Sequence, residues 1–407
     1  MRSFTPSNAL LARPVLFAVA LGALTALGPF TMDLYLPAFP VVAEDLRASA
    51  TSVQITLTAT AVGMGAGQLV VGPLSDHLGR RWPLIVATML HIGASILIAI
   101  APSIDLLVIA RFAQGFGAAG GAVVASAMVR DLFGGQKLVK MAAQVALVSG
   151  FAPIIAPVIG SQLLLIVSWR GVFWILAAYG FVVMLAAVLL IPETRRETRG
   201  GLSGPAIVSG LRVLATDRTY LSTVVVSAMV FAIIITYLSS APFIYQSGYG
   251  LSAQAFGVFF AATSVGVVVA TQVSARLMRR IRPAVLLAWA LPSAAVIGVA
   301  FVGMDAARAG LVPFAVASFL IVGFHGFCNP CTQVLTLADH ENESGTAVAV
   351  SGFANSVLGG LLSLLPGLLG GVGPVSLGIT IVIAAGVGCI AVFAGLRPRS
   401  SAVIRDA

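Results

Sequence analysis

Gly72-Pro73-Leu74-Ser75-Asp76-His77-Leu78-Gly79-Arg80-Arg81-Trp82-Pro83-Leu84 joins two apolar segments, residues 51–74 and 82–101. Each segment is about 20 residues long, the length of a helix that crosses a bilayer. The stretch between them reads as a loop. It is short, polar and basic, as connections on the cytoplasmic side of a membrane are. Gly79 suits a tight turn there, and Gly72 a close helix approach. The whole chain has the same character: of its 407 residues, 59% are hydrophobic and only 9% charged. A soluble domain carries roughly 25% charged residues. The chain therefore reads as a polytopic all-α membrane protein.

Twelve apolar segments of spanning length are visible: residues 14–40, 51–74, 82–101, 104–129, 139–166, 170–192, 218–246, 253–278, 283–303, 308–336, 345–370 and 373–396. Arg2 and Arg13 precede a first segment too long for a cleavable signal, so it reads as a retained helix. An even number of spans puts both termini on one side. Of the 23 Lys and Arg residues, 19 fall on that side. Arg47, Arg170 and Arg308 fall on the other, and Arg111 lies inside a span. The positive-inside rule then makes both termini cytoplasmic. Basic residues spread over short loops are topology signals, not a nucleic-acid surface. The longest polar connection divides the chain into a six-helix bundle over 1–192, a cytoplasmic linker over 193–217 and a second six-helix bundle over 218–407. Six plus six is the pattern of two repeated halves with a substrate path between them. The loops after the second and eighth segments, Gly79-Arg80-Arg81 and Arg276-Leu277-Met278-Arg279-Arg280, are both basic and occupy equivalent places.

Asp33 is the one carboxylate that lies inside a span rather than at its entry, where Asp105 sits. Burying a charge within a span is costly, so Asp33 marks a functional site. Burial favours a neutral carboxyl and a nearby cation favours the charged one, which suits the group to carrying a proton. Arg111 is the one basic residue deep in a span. It lies six residues beyond Asp105, about 9 Å inward at 1.5 Å per residue. That is a depth comparable to Asp33, so the two are expected to share a cavity, directly or through water or Gln114. Snorkelling of Arg111 and simple helix capping by Asp33 before Pro37 are the bland readings. Gly115 to Gly120 satisfies G-x-G-x-x-G, but no strand precedes it, so it is no dinucleotide site. Its glycines read as a helix-packing surface. Phe30, Tyr35, Tyr237, Phe243 and Tyr245 are expected pocket walls for a bulky substrate, with Gln114 and Asn329 as polar handles. His91 and His325 read as packed neutral histidines. Cys328 and Cys331 form a C-x-x-C inside an apolar run and read as packing. No metal site is visible, and no nucleophile–base pair points to an enzyme.

The Gly72–Leu84 stretch matches G-x-L-a-D-r-x-G-r-k-x-x-l, the signature of the major facilitator superfamily, except that His77 stands where Arg is usual. Arg111-Phe112-Ala113-Gln114-Gly115-Phe116-Gly117 resembles the R-x-x-Q-G-x-G motif of proton-coupled drug exporters. Gly150-Phe151-Ala152-Pro153-Ile154-Ile155-Ala156-Pro157-Val158-Ile159-Gly160 is similar to their fifth-helix antiporter motif, with Ala156 replacing the usual Gly. Met32-Asp33-Leu34-Tyr35-Leu36-Pro37-Ala38-Phe39-Pro40, Val129-Arg130-Asp131-Leu132 and Tyr237 to Tyr245 resemble the branch of bicyclomycin and chloramphenicol/florfenicol resistance exporters. The resemblance implies twelve helices in two pseudo-symmetric halves and a midplane cavity. It implies a gate built from Gly72, Asp76, Gly79, Arg80 and Arg81, with Arg130 as an ionic partner and the start of the eleventh helix as the surface that Asp76 meets. It implies a sealed fifth helix at Pro153, Pro157 and Gly160.

The function expected is proton-driven export of antibiotics such as phenicols or bicyclomycin, or of other small amphipathic drugs, by alternating access. Asp33 and Arg111 would couple proton and substrate. No cofactor is expected beyond the proton gradient, and no partner beyond drug, protons and the bilayer. The expected state is a monomer in the bacterial cytoplasmic membrane. A proton-coupled symporter importing a metabolite is the alternative, and a non-transporting membrane sensor a further one.

Overall fold

Inside a bilayer no water is present to bond a backbone N–H or C=O, so each spanning segment must satisfy its own. Apolar runs of this length therefore become helices. The computed structural model describes residues 14–190, 212–338 and 344–396. The chain termini and most of the 193–217 linker lie outside the described residues.

Twelve helices are long and apolar enough to cross a membrane. They are α1 (Pro14–Asp33), α2 (Ala50–Leu78), α3 (Arg81–Ala99), α4 (Ile104–Leu132), α5 (Gly135–Leu163), α6 (Trp169–Leu190), α7 (Arg218–Pro242), α8 (Ala253–Leu277), α9 (Pro283–Ala306), α10 (Leu311–Leu337), α11 (Ser344–Leu362) and α12 (Pro374–Gly395). No strand occurs among the described residues. Side-chain caps fix three starts. Ser103 accepts from the Leu106 amide, Asp217 from Thr219 and Tyr220, and Ser252 from Ala255. Each satisfies an amide that has no partner within its own helix.

Some boundaries differ from the sequence reading. Ser75 to Leu78, expected as loop, is the last part of α2. Polar composition there marks the end of the lipid-compatible stretch, not the end of the helix. The break comes at Gly79, whose φ of 89° lies in the left-handed region that glycine tolerates. Likewise α1 does not run through to residue 40. It stops at Asp33, passes through a 3-10 turn (Leu36–Ala38) and resumes as a short helix, Phe39–Asp45. Pro37 and Pro40 remove two amide donors, which ends the regular ladder. In the second half, α7 likewise gives way at Pro242 to a π-helical turn, Phe243–Gly248.

The contacts group the chain into two compact units. One comprises Met1–Ala48 with Ala59–Ser203, the other Ser49–Thr58 with Gly204–Ala407. The first turns of α2 thus group with the second unit, where Gln54 donates to Ser239 and Ser240 at 3.3 and 3.0 Å. Within the first unit α1 packs on α4, α5 and α6, and α3 on α4 and α6. Within the second, α7 packs on α10, α11 and α12, and α9 on α10 and α12. The same pairings recur six helices later, which is an internal repeat at the level of packing. The first unit has its core around Leu21, Leu24, Val124 and Met128. Trp169 Nε1 (3.0 Å) and the Arg170 guanidinium both bond Asp45, and Arg170 also reaches the Ala101 carbonyl at 3.1 Å. This clasp ties the end of the first span to the α3–α4 connection and to α6.

Small residues, not apolar bulk, set the helix spacing, because lipid offers no hydrophobic drive between helices. A Cβ on Gly63 or Gly67 would strike the carbonyls of Phe112 or Phe116, and one on Gly115 that of Thr60. Gly117 meets Ala87 and His91, and Gly121 meets Leu24. The glycines after Arg111 thus seat α4 against α1, α2 and α3 at once. Gly115→Ala should therefore lower the stability of the purified protein by about 1–3 kcal/mol, the usual cost of overpacking. Gly93→Ala, with nothing within 4 Å of the added carbon, should not lower it. Denaturant unfolding in micelles measures both.

Candidate functional site

Asp33 is the last residue of α1 and is 6% exposed. Among the described residues it makes no hydrogen bond and no ion pair. Arg111 is fully buried on α4. Of the links expected between these two groups, a direct bond is not present among the described residues. Instead Arg111 Nη1 donates to the Thr31 carbonyl at 2.8 Å and to Gln114 Oε1 at 2.7 Å. Its guanidinium carbon lies 5.0 Å from the centre of the Tyr35 ring and 5.7 Å from that of Phe173. Nε and Nη2 have no partner among the described residues. Arg111 thus sits at the C-terminal end of α1, where a helix presents unpaired carbonyls and the negative end of its dipole. Each charge-assisted hydrogen bond contributes about 1.5–3 kcal/mol, and each desolvated ring contact up to about 2 kcal/mol. Together these offset the several kcal/mol that burying the ion costs.

The other groups around Arg111 hold it in place. Gln114, expected as a substrate handle, is fully buried and occupied. It accepts from Arg111 and donates through Nε2 to Ser95 Oγ at 2.8 Å. Ser95 in turn donates to the His91 carbonyl at 2.7 Å, and His91 Nδ1 lies 3.3 Å from the Gln114 carbonyl. His91 is thus a packed histidine of α3, as expected. Tyr35 is fully buried, its ring against Phe39 at 4.9 Å and Phe173 at 5.1 Å. It is a platform for Arg111, not an open wall. Phe30 is half-buried and meets Tyr179 at 5.4 Å, whose hydroxyl donates to the Ala23 carbonyl. The sequence reading did not single out Thr31, Ser95, Phe173 or Tyr179. Apolar spans show little periodicity, so nothing in the string marks which face each occupies.

The fifth-helix motif reaches the same place. Pro153 and Pro157 lie inside α5. Gly160 abuts the Leu34 carbonyl, and a Cβ there would overlap it. The motif's last glycine therefore seats α5 directly on the break beside Asp33.

The residues expected to form the gate lie at the C-terminal end of α2 and the start of α3. Arg80 Nε donates to Asp131 Oδ2 at 2.8 Å, and Nη1 donates to Ser75 Oγ at 2.9 Å and pairs with Asp76. Arg130 is exposed. The acid of the expected gate, Asp76, thus pairs with Arg80 and not with Arg130, and Arg80 is shared with Asp131 on α4. Burial disfavours the charged guanidinium of Arg80, but bonding to Asp131 and Asp76 outweighs it and raises its pKa. Arg81 Nη2 bonds the Val188 carbonyl at 2.8 Å. Gly72 is not a forced contact, because a Cβ there would meet Val123 at an ordinary 3.5 Å.

In the second unit, Tyr237 and Tyr245 are fully buried and Phe243 nearly so. Tyr245 donates to Ser318 Oγ at 2.8 Å and packs on Phe259 at 4.5 Å and Phe314 at 5.3 Å. These rings are packed into the bundle. Asn329, by contrast, lines a cavity of about 230 Å³ with His325 and Gln333. Among the described residues, no group of His, Cys, Asp and Glu side chains can hold a metal ion.

Three comparisons bear on this arrangement. The Major Facilitator Superfamily model matches residues 21–364. The uncharacterized MFS-type transporter YdgK of Bacillus subtilis is 34% identical over 354 residues, covering 86% of this chain and 88% of that protein. The bicyclomycin resistance protein homolog of Haemophilus influenzae is 27% identical over 351 residues, covering 86% and 88%. A crystal structure of a mutant of the nucleoside transporter NupG superposes with a TM-score of 0.76 at 13% identity, covering 94% and 99%. That last likeness is one of fold.

Gln114→Leu takes an acceptor from Arg111 and a donor from Ser95. It should lower unfolding stability by about 1–3 kcal/mol, and Gln114→Glu, which keeps the acceptor, by less. Chemical denaturation of the two purified variants gives the comparison.

Proposed function

The chain belongs to the Major Facilitator Superfamily and is a multi-pass membrane transporter, and on that footing we propose that it exports small amphipathic drugs in exchange for protons. The observation that carries this reading is Asp33. It is a buried carboxylate without a described partner, two residues beyond the carbonyl that a buried arginine bonds. No described bond holds this carboxyl in either charge state, so its surroundings decide which form it takes. A small change in surroundings, such as an arriving substrate, then tips its protonation. The likeness to a bicyclomycin resistance protein homolog supports a drug as cargo. The antiporter-like fifth helix, seated by Gly160 against the Leu34 carbonyl, supports exchange over co-transport.

In the proposed cycle both termini and the Arg80–Asp76–Asp131 cluster face the cytoplasm. Asp33 takes a proton from the outer solution, substrate leaves, and the halves rock. The proton passes to the cytoplasm and the ionised carboxylate meets the next substrate. Arg111 holds the end of α1 throughout, so the carboxylate changes charge on a fixed backbone. The proton gradient is the sole energy source in this scheme, and one chain is the working unit.

Reconstituted vesicles with an imposed pH gradient provide the test. Gradient-driven movement of chloramphenicol or ethidium should fall at least tenfold in Asp33→Asn. Export at the wild-type rate with the same gradient response would remove Asp33 from the mechanism. Substrate moving with the protons would replace export by import.

A further inference from the structure

A cavity in the second unit lies between α8 and α10, with Thr271, His325, Asn329 and Gln333 in its lining. His325, Asn329 and Gln333 are spaced by four residues, so they stack along one face of α10. Gln333 Nε2 donates to Asn329 Oδ1 at 2.6 Å. That bond leaves the Asn329 amide N–H groups as donors and Gln333 Oε1 as an acceptor. The Nδ1 atom of His325 has no partner among the described residues. Thr271 is already committed, donating to the Gly326 carbonyl at 2.9 Å.

The lining therefore offers both donors and acceptors and no charged side chain. Anions and cations are equally unsuited to it, because either would be desolvated without a counter-charge. A neutral group that both donates and accepts, such as an amide or a hydroxyl pair, matches it. The volume of about 230 Å³ is below the roughly 300–1,000 Å³ of pockets that enclose a drug-sized ligand. It has room for one arm of such a molecule. We infer that the α8–α10 cavity is a subsite for an uncharged amide- or hydroxyl-bearing arm of a small molecule, held by Asn329 and Gln333. That the arm belongs to transported cargo rests on the export reading; the binding chemistry does not.

Benzamide, a neutral planar amide, is the probe, and benzoate, its charged counterpart of the same shape, is the control. Saturation-transfer NMR on the purified full-length protein reads each. Benzamide should bind and benzoate should not. Gln333 is exposed, so Gln333→Leu should fold normally. It should weaken benzamide three- to tenfold, the loss of one hydrogen bond. Val334→Ala, an exposed neighbour outside the lining, should leave it unchanged. Equal binding of benzamide and benzoate, or benzamide binding unaltered by Gln333→Leu, would overturn the subsite. Because the readout is binding and not flux, it succeeds or fails independently of whether the chain exports drugs.

Discussion

A helix that stops inside a membrane must have its last carbonyls satisfied by something other than water. In this chain α1 stops at Asp33, and Arg111 from α4 is the group that reaches its final turn, at the Thr31 carbonyl. Much of the first unit is arranged to make that contact possible. The glycines that follow Arg111 bring α4 against three neighbours. Gln114 and Ser95 fix the guanidinium from behind, and Tyr35 and Phe173 cover it with their rings. Gly160 then lets α5 approach the carbonyl of Leu34, immediately after the break. Asp33 is left in the middle of this structure as an ionisable group that nothing described holds.

This division of labour explains why an arginine is tolerated deep in a span without a carboxylate partner. Its charge is spread over a helix terminus, an amide and two aromatic faces. The acid beside it makes no described contact that a change of charge would break. An ion pair between the two would have made each proton transfer cost a structural contact. In the superfamily to which the chain belongs, substrate moves because two halves exchange arrangements. A carboxylate that can alter its charge on a rigid backbone is a suitable trigger for such an exchange.

Much of this was legible in the string of residues. Length and hydropathy give all twelve spans, and the positions of Asp33 and Arg111 make them stand out in apolar surroundings. The packing role of Gly115, Gly117 and Gly120 also follows from their spacing. What the string does not carry is direction around a helix. When nearly every residue of a span is apolar, no polar face orients it. Tyr35, Tyr237 and Tyr245 therefore read as pocket walls although all three are fully buried. For the same reason Arg130 reads as the ionic partner of Asp76, whereas Asp76 pairs with Arg80, which Asp131 also binds. The polar stretch Ser75 to His77 misled differently. It signals an exit from lipid, and the helix continues past that point.

The central claim is that substrate and proton compete for Asp33. Adding chloramphenicol to the purified protein in weakly buffered solution, with a pH electrode, tests this without any membrane. The account predicts a measurable release of protons from the wild-type protein and none from Asp33→Asn. Substrate binding with no release, or the same release from both proteins, would contradict it.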